Sequence, residues 1–114
     1  MTAVDDPTGF GLERWRVDSR SGPGSAGRWE ETLAQTHAAF DVRLPSGDGF
    51  TGAVRRYRLG ALSLVDCRCT PFVGQRGPAV LHDGAHDHVG VQLVLRGRER
   101  AWSGGRETLL GAGA

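Results

Sequence analysis

Phe50-Thr51-Gly52-Ala53-Val54-Arg55-Arg56-Tyr57-Arg58-Leu59 runs through Gly60 and Ala61 into Leu62-Ser63-Leu64-Val65-Asp66-Cys67-Arg68-Cys69. The first half alternates around Val54 and Tyr57, with Arg55, Arg56 and Arg58 interleaved. A period near two on both sides of a glycine marks two strands joined by a turn. Pro71 ends the second strand, because proline has no N–H to give to a ladder. The interleaved arginines read as a solvated face.

Downstream, Val89, Val91, Leu93 and Leu95 repeat the alternation and predict a strand over 89–95. Arg96-Gly97 turns the chain, and Arg98–Trp102 returns. Ser103-Gly104-Gly105 then makes a hairpin into Arg106–Leu110. Residues 74–88 are loop-like. Upstream, Asp41-Val42-Arg43-Leu44 alternates and stops at Pro45-Ser46-Gly47-Asp48-Gly49.

Before that the period becomes helical. Trp29, Leu33, Thr36 and Phe40 recur at offsets of four, three and four. The spacing predicts an amphipathic helix over Arg28–Phe40, with Trp29, Leu33 and Phe40 facing a core and Glu30 and Glu31 in its first turn. Phe10, Leu12, Trp15 and Val17 suggest a second short helix around Leu12–Asp18, within a weakly structured leader spanning 1–27. Residues 28–114 form the domain. Glycines 52, 60, 97, 104 and 105 are read as turn positions.

Composition narrows the function classes. The chain has 114 residues and a net charge of +1, and all 14 of its basic residues are arginine. Such a balance gives no electrostatic footprint for nucleic acid. Eighteen glycines without a G-x-y period exclude collagen. No segment reaches the ~20 apolar residues of a membrane-spanning helix. The first ten residues, with Asp5 and Asp6, are no signal peptide. A cytoplasmic protein without a membrane partner is expected.

Taken together, the elements resemble the N-terminal ligand-binding, cupin-like domain of AraC-type transcription regulators. The resemblance is carried by Arg28-Trp29-Glu30-Glu31 to Phe40-Asp41-Val42, Phe50–Val54 and Leu59–Leu64. Val91-Gln92-Leu93-Val94-Leu95-Arg96-Gly97 and Gly105–Leu110 extend it. It implies a mainly β fold: an incomplete cupin-like antiparallel β-barrel or sandwich preceded by one or two N-terminal helices. Where the family turn reads Gly-Asp this chain has Gly113-Ala114, so the resemblance implies a regulatory half cut short before the helix-turn-helix units. The implied role is non-enzymatic. The module senses a small-molecule effector, or dimerises with itself or a full-length relative, without direct nucleic-acid contact and without a cofactor. Open sheet edges in such a barrel invite pairing with another chain.

Effector candidates are the inward-facing strand residues Tyr57, Leu62, Leu64, Val91, Leu93 and Trp102, since aliphatic and aromatic walls make small-molecule pockets. The alternative is a small metal-dependent cupin enzyme. His86 and His88 form an H-x-H pair with imidazoles on one side of an extended segment. Metal-binding cupins follow that pair with glutamate, whereas here Gln92 follows. A third reading is an inert gene fragment. Cys67 and Cys69, two apart on a strand, lie too far apart for an easy disulfide, and are read as small buried hydrophobes. His37 sits on the polar side of the helix. No catalytic residues are assigned: nothing in the spacing joins Asp66 and Cys67 to a histidine, and Gly22-Pro23-Gly24 lacks the flanking strand and helix of a phosphate loop.

Overall fold

The computed structural model describes residues 10–45, 49–77 and 90–112. Within them lie β1 (Phe10–Asp18), α1 (Ser25–Thr36), β2 (Asp41–Arg43) and β3 (Thr51–Leu59). These are followed by β4 (Leu62–Cys69), β5 (Val73–Gln75), β6 (Arg98–Ser103) and β7 (Arg106–Gly111). The described residues are mainly β, with one α-helix and open antiparallel sheets, consistent with a cupin-like β-sandwich.

The hairpin at 50–69 forms as its alternation requires. β3 pairs antiparallel with β4 from Leu59↔Leu62 to Gly52↔Cys69. Gly60 sits at φ 65, a left-handed conformation that costs glycine nothing and matches the twist of a two-residue hairpin. At the second hairpin Gly104 and Gly105 both have positive φ, 57 and 78, the requirement of a type I′ turn between Ser103 and Arg106.

Three expectations about helices and strands are corrected. Residues Leu12–Asp18 are not helical: they belong to β1, which pairs with β3 over its full length from Phe10↔Leu59 to Asp18↔Thr51. Nine ladder positions beside β3 outweigh the weak helical spacing. The leader is tied down further by a short 3₁₀ turn at Ser19–Ser21, where Asp18 caps the N–H of Arg20 at 2.9 Å. The guanidinium of Arg28 donates to the carbonyls of Pro23, Asp18 and Gly22.

The helix itself starts at Ser25, so Glu30 and Glu31 fall in its second turn, and it ends before Phe40. Glu30 instead accepts the N–H of Val42 at 2.8 Å, clamping the helix to β2.

The third correction concerns residues 91–95, which form no strand. Val91 is 97% exposed, and Leu93 and Leu95 are also exposed. Alternation shows which residues share a face, whereas a strand also needs a neighbour to take its hydrogen bonds. Val89 lies outside the described residues. β5, which pairs with β2 from Asp41↔Gln75 to Arg43↔Val73, was not anticipated.

The core lies where α1 crosses β1 and β3. Val17, Trp29, Leu33, Phe50 and Val54 are buried, with Trp15, Phe40, Val42, Leu44, Val65 and Phe72 packed around them. The indole of Trp29 stands 5.1 Å from the Phe50 ring and 5.8 Å from Phe72, the latter edge-on. Such tilted contacts suit the aromatic quadrupole. Gly52 is not a turn residue: it lies inside β3 and gives the Trp29 ring its seat. A Cβ there would stand 2.5 Å from Trp29 Cζ3 and 2.8 Å from Cη2.

Candidate functional site

Because side chains alternate across a strand and cross-strand partners share a face, the registers sort the β1-β3-β4 sheet into two surfaces. The helix-covered face carries Glu13, Trp15 and Val17 of β1, Gly52, Val54, Arg56 and Arg58 of β3, and Val65, Cys67 and Cys69 of β4. The opposite face carries Phe10, Leu12, Tyr57, Leu59, Leu62 and Leu64 at one end. Arg14, Arg16, Arg55, Asp66 and Arg68 occupy the other end.

Of the six expected effector residues, three come together. Tyr57 is the direct cross-strand partner of Leu64, and Leu62 pairs with Leu59 beside them. Tyr57 is half-buried, whereas Leu62 and Leu64 are 71% and 58% exposed. They form an apolar patch on the uncovered face, with Phe10 and Leu12 beside them. Trp102 lies on the separate β6–β7 sheet, exposed, with Arg100 5.7 Å from its ring centroid. Val91 and Leu93 lie in the exposed segment before it. These last three are not strand residues lining one interior with Tyr57: two have no strand, and the third belongs to another sheet.

Two depressions in the described surface lie elsewhere. One of about 390 Å³ is lined by Arg98, Glu99, Arg100, Leu109, Leu110 and Gly111. Another, of about 140 Å³, lies along β2 and β5. Neither includes any of the six.

For the metal alternative, His86 and His88 lie outside the described residues. Gln92 is engaged by its amide, which donates to Glu99 Oε2 at 2.9 Å. Among the described residues no group of three or more His, Cys, Asp or Glu side chains is placed to hold a metal. Nor is any helix among them long and apolar enough to cross a membrane. His37 is exposed, as expected, and its ring nitrogen Nδ1 lies 2.8 Å from Thr36 Oγ1. Cys67 and Cys69 are free and exposed, not buried hydrophobes. They lie on a strand at the sheet's edge, where a neighbour on one side only cannot cover them.

The strongest electrostatic feature escaped the sequence reading. Glu13 is 3% exposed and accepts a bidentate pair from Arg56, Nε at 2.8 Å and Nη2 at 2.9 Å. Arg58 Nε donates to the same carboxylate at 2.9 Å. The remaining arm of Arg56, Nη1, donates to the carbonyl of Gln35 in the last turn of α1 at 2.7 Å, and its guanidinium lies 5.2 Å from the Trp15 ring centroid. Arg56 and Arg58 thus leave the solvated face assigned to them and bolt the helix end to the sheet. Parity gives only part of this: both arginines are in phase with Val54, but placing Glu13 beside them needs β1 recognised as a strand and its register with β3.

Hydrogen bonds from Arg56, and then from Arg58, hold the Glu13 carboxyl below its usual range, against the opposing effect of burial. A carboxylate with a depressed folded-state pKa contributes stability that is present above its unfolded value and lost as pH falls through the folded one. The unfolding midpoint is therefore expected to drop as pH is lowered below about 4.3. Urea denaturation between pH 7 and 3 checks this. Glu13→Gln, which carries no charge to lose, should flatten that limb, leaving the share of the exposed Asp18–Arg20 pair, whose carboxyl is also depressed by Arg20. His37 acts in a separate window. Desolvation lowers its ring pKa, with Glu99 opposing, so its contribution is lost as pH falls below about 6.5.

A family model described as AraC-binding-like domain matches residues 29–114. No curated protein matches the chain, and no solved structure does.

Proposed function

We propose that this chain, which belongs to the AraC-binding-like domain family, is the effector-sensing module of an AraC-type transcription regulator. The family match over residues 29–114 carries the reading, and domains of this family bind small-molecule effectors. The location of the effector site is part of the proposal. Tyr57, Leu62 and Leu64, three of the residues expected from the sequence, share one face of the β1-β3-β4 sheet with Phe10, Leu12 and Leu59. An apolar wall beside an arginine-bearing end suits a small ligand with an apolar body and a polar or anionic head.

In this reading the module is non-enzymatic and works in the cytoplasm. Val91, Leu93 and Trp102 stay candidate wall residues in the effector-bound state. The module transmits by biasing one of two arrangements, of itself or of a dimer with a second copy or a full-length relative. The folded unit we propose begins at Phe10 rather than at residue 28, since β1 supplies one edge of the same sheet and Val17 of the same core.

A thermal-shift screen of small organic acids, sugars and aromatic compounds tests the proposal. An effector at a hundredfold excess over its Kd is expected to stabilise the fold by about 2.7 kcal/mol. That stabilisation should vanish in Leu64→Asp and shrink in Tyr57→Ala. A ligand whose effect survives both substitutions would sit elsewhere, and the assignment of this face would fail.

A further inference from the structure

β4 is an edge of the β1-β3-β4 sheet, so among the described residues one side of its backbone has no ladder. One contact sets the phase of its hydrogen bonds. Thr70 N–H donates to the Thr51 carbonyl at 2.9 Å, one step beyond the Gly52↔Cys69 pair. Bonded and non-bonded pairs alternate along an antiparallel ladder, so Asp66 and Arg68 turn their N–H and C=O groups towards β3. Val65, Cys67 and Cys69 turn theirs outward, and Pro71, which has no N–H, closes the row. Edge strands usually deter another strand with charge of one sign. This one carries one charge of each sign, two residues apart.

We propose that the β4 edge is a surface for a second copy of this chain, which pairs with it antiparallel across a two-fold axis at Cys67. In that register Val65 faces the partner's Cys69, and Cys67 faces the partner's Cys67. Every outward-turned residue thus meets another outward-turned residue, as the ladder requires. Asp66 faces the partner's Arg68, and symmetry supplies the same pair a second time. These charges fall at the closely spaced positions of the ladder, with Cα atoms about 4.5 Å apart, where opposite charges support pairing. Within one chain their own contact is loose: 3.5 Å, with the Arg68 side chain 74% exposed.

Neighbouring registers fail on charge. Moving the axis to residue 66 sets Asp66 against the partner's Asp66, and moving it to residue 68 sets Arg68 against the partner's Arg68. Like charges directly opposite oppose pairing. An axis at residue 65 leaves Asp66 against the partner's Leu64. The helix offers no obstacle, since α1 packs over β1 and β3, inward from this edge. Such pairing joins two three-stranded sheets into one continuous sheet and buries an open edge of each.

This assignment gives the dimer of the proposed function a surface. It is read without any effector, so its failure would leave the effector face standing.

The test is sedimentation velocity of the reduced full chain over a range of concentrations, where a monomer–dimer equilibrium is expected. Asp66→Arg and Arg68→Asp should each weaken the homodimer by roughly a hundredfold, because like charges then face each other. Mixing the two variants should restore association as a heterodimer. The double exchange, Asp66→Arg with Arg68→Asp, should restore the homodimer. Diamide oxidation checks the register: two facing thiols become one disulfide, and their two hydrogens pass to diamide. The Cys69→Ser variant should cross-link between chains through Cys67, whose expected Cα spacing of about 5.5 Å lies within disulfide reach. The Cys67→Ser variant should not, since Cys69 faces Val65. A chain that stays monomeric, charge reversals that change nothing or are not rescued, or cross-linking through Cys69 as readily as through Cys67 would overturn the assignment.

Discussion

Replacing Trp29 by alanine is expected to cost about 4 kcal/mol, in the range of large aromatic deletions from cores. For a domain whose whole stability is of order 5–15 kcal/mol, that is enough to bring the fold near its threshold. Trp29 is fully buried and joins Phe50 and Phe72, so its removal leaves a hole on which two other rings depend. One detail works in the opposite direction. Among the described residues the buried indole N–H has no hydrogen-bond partner, so Trp29→Phe discards an unsatisfied donor and should cost much less. Urea unfolding of the two variants separates ring from N–H.

The same geometry reverses the usual sign at Gly52. Glycine in a strand ordinarily loses roughly 0.5–1 kcal/mol to alanine. Here the new methyl would meet a Trp29 ring that cannot retreat, an overpacking cost of about 1–3 kcal/mol. Gly52→Ala is thus expected to destabilise, and to be tolerated better when combined with Trp29→Phe. Simple additivity of the two changes would refute direct contact as the cause.

The second large effect is at Glu13. Glu13→Ala leaves two arginines facing one another without a counter-charge, and breaking such a pair from one side costs about 3 kcal/mol. The side chains of Arg56 and Arg58 are 16% and 35% exposed. That access to water places the value at the lower end for buried pairs. The loss should show as a lower melting temperature that added salt recovers only in part, since screening reaches Arg58 more readily than Arg56. Removing the charges together, as Glu13→Leu with Arg56→Met, should recover much of the loss, because the penalty comes from an orphaned charge and not from a missing attraction. If Glu13→Ala unfolds at the wild-type midpoint, the cluster contributes nothing and Gln35 is held by other contacts.

These two sites show what a single sequence reveals. The hairpin at 50–69, the β6–β7 hairpin and the core pair Trp29 and Leu33 were legible because each rests on local alternation, helical spacing or a glycine that the turn requires. β1 was misread because the apolar residues of 10–18 fall on both faces of the strand: Leu12 points one way, Trp15 and Val17 the other. Its conformation is decided by β3, which lies more than thirty residues downstream. Segment 91–95 failed in the reverse direction, with Val91, Leu93 and Leu95 alternating and no partner in the described sheets.

The apolar patch proposed for the effector was half legible. Tyr57, Leu62 and Leu64 sit on one hairpin, so register follows from the turn. Joining them to Val91, Leu93 and Trp102 needed tertiary placement that no spacing encodes. Glu13 was missed for the same reason as β1, since a carboxylate in an unrecognised strand has no visible counter-ion.

The three tryptophans divide the molecule among themselves. Trp29 lies in the aromatic core, Trp15 against the guanidinium of Arg56, and Trp102 in the open on the β6–β7 hairpin beside Arg100. Their indoles stand in three different dielectrics, so their emission colours and their access to a dissolved quencher differ. Single-tryptophan versions of the chain would turn those positions into separate optical channels, reporting whether helix docking, ion-cluster closure and hairpin formation are one event or three.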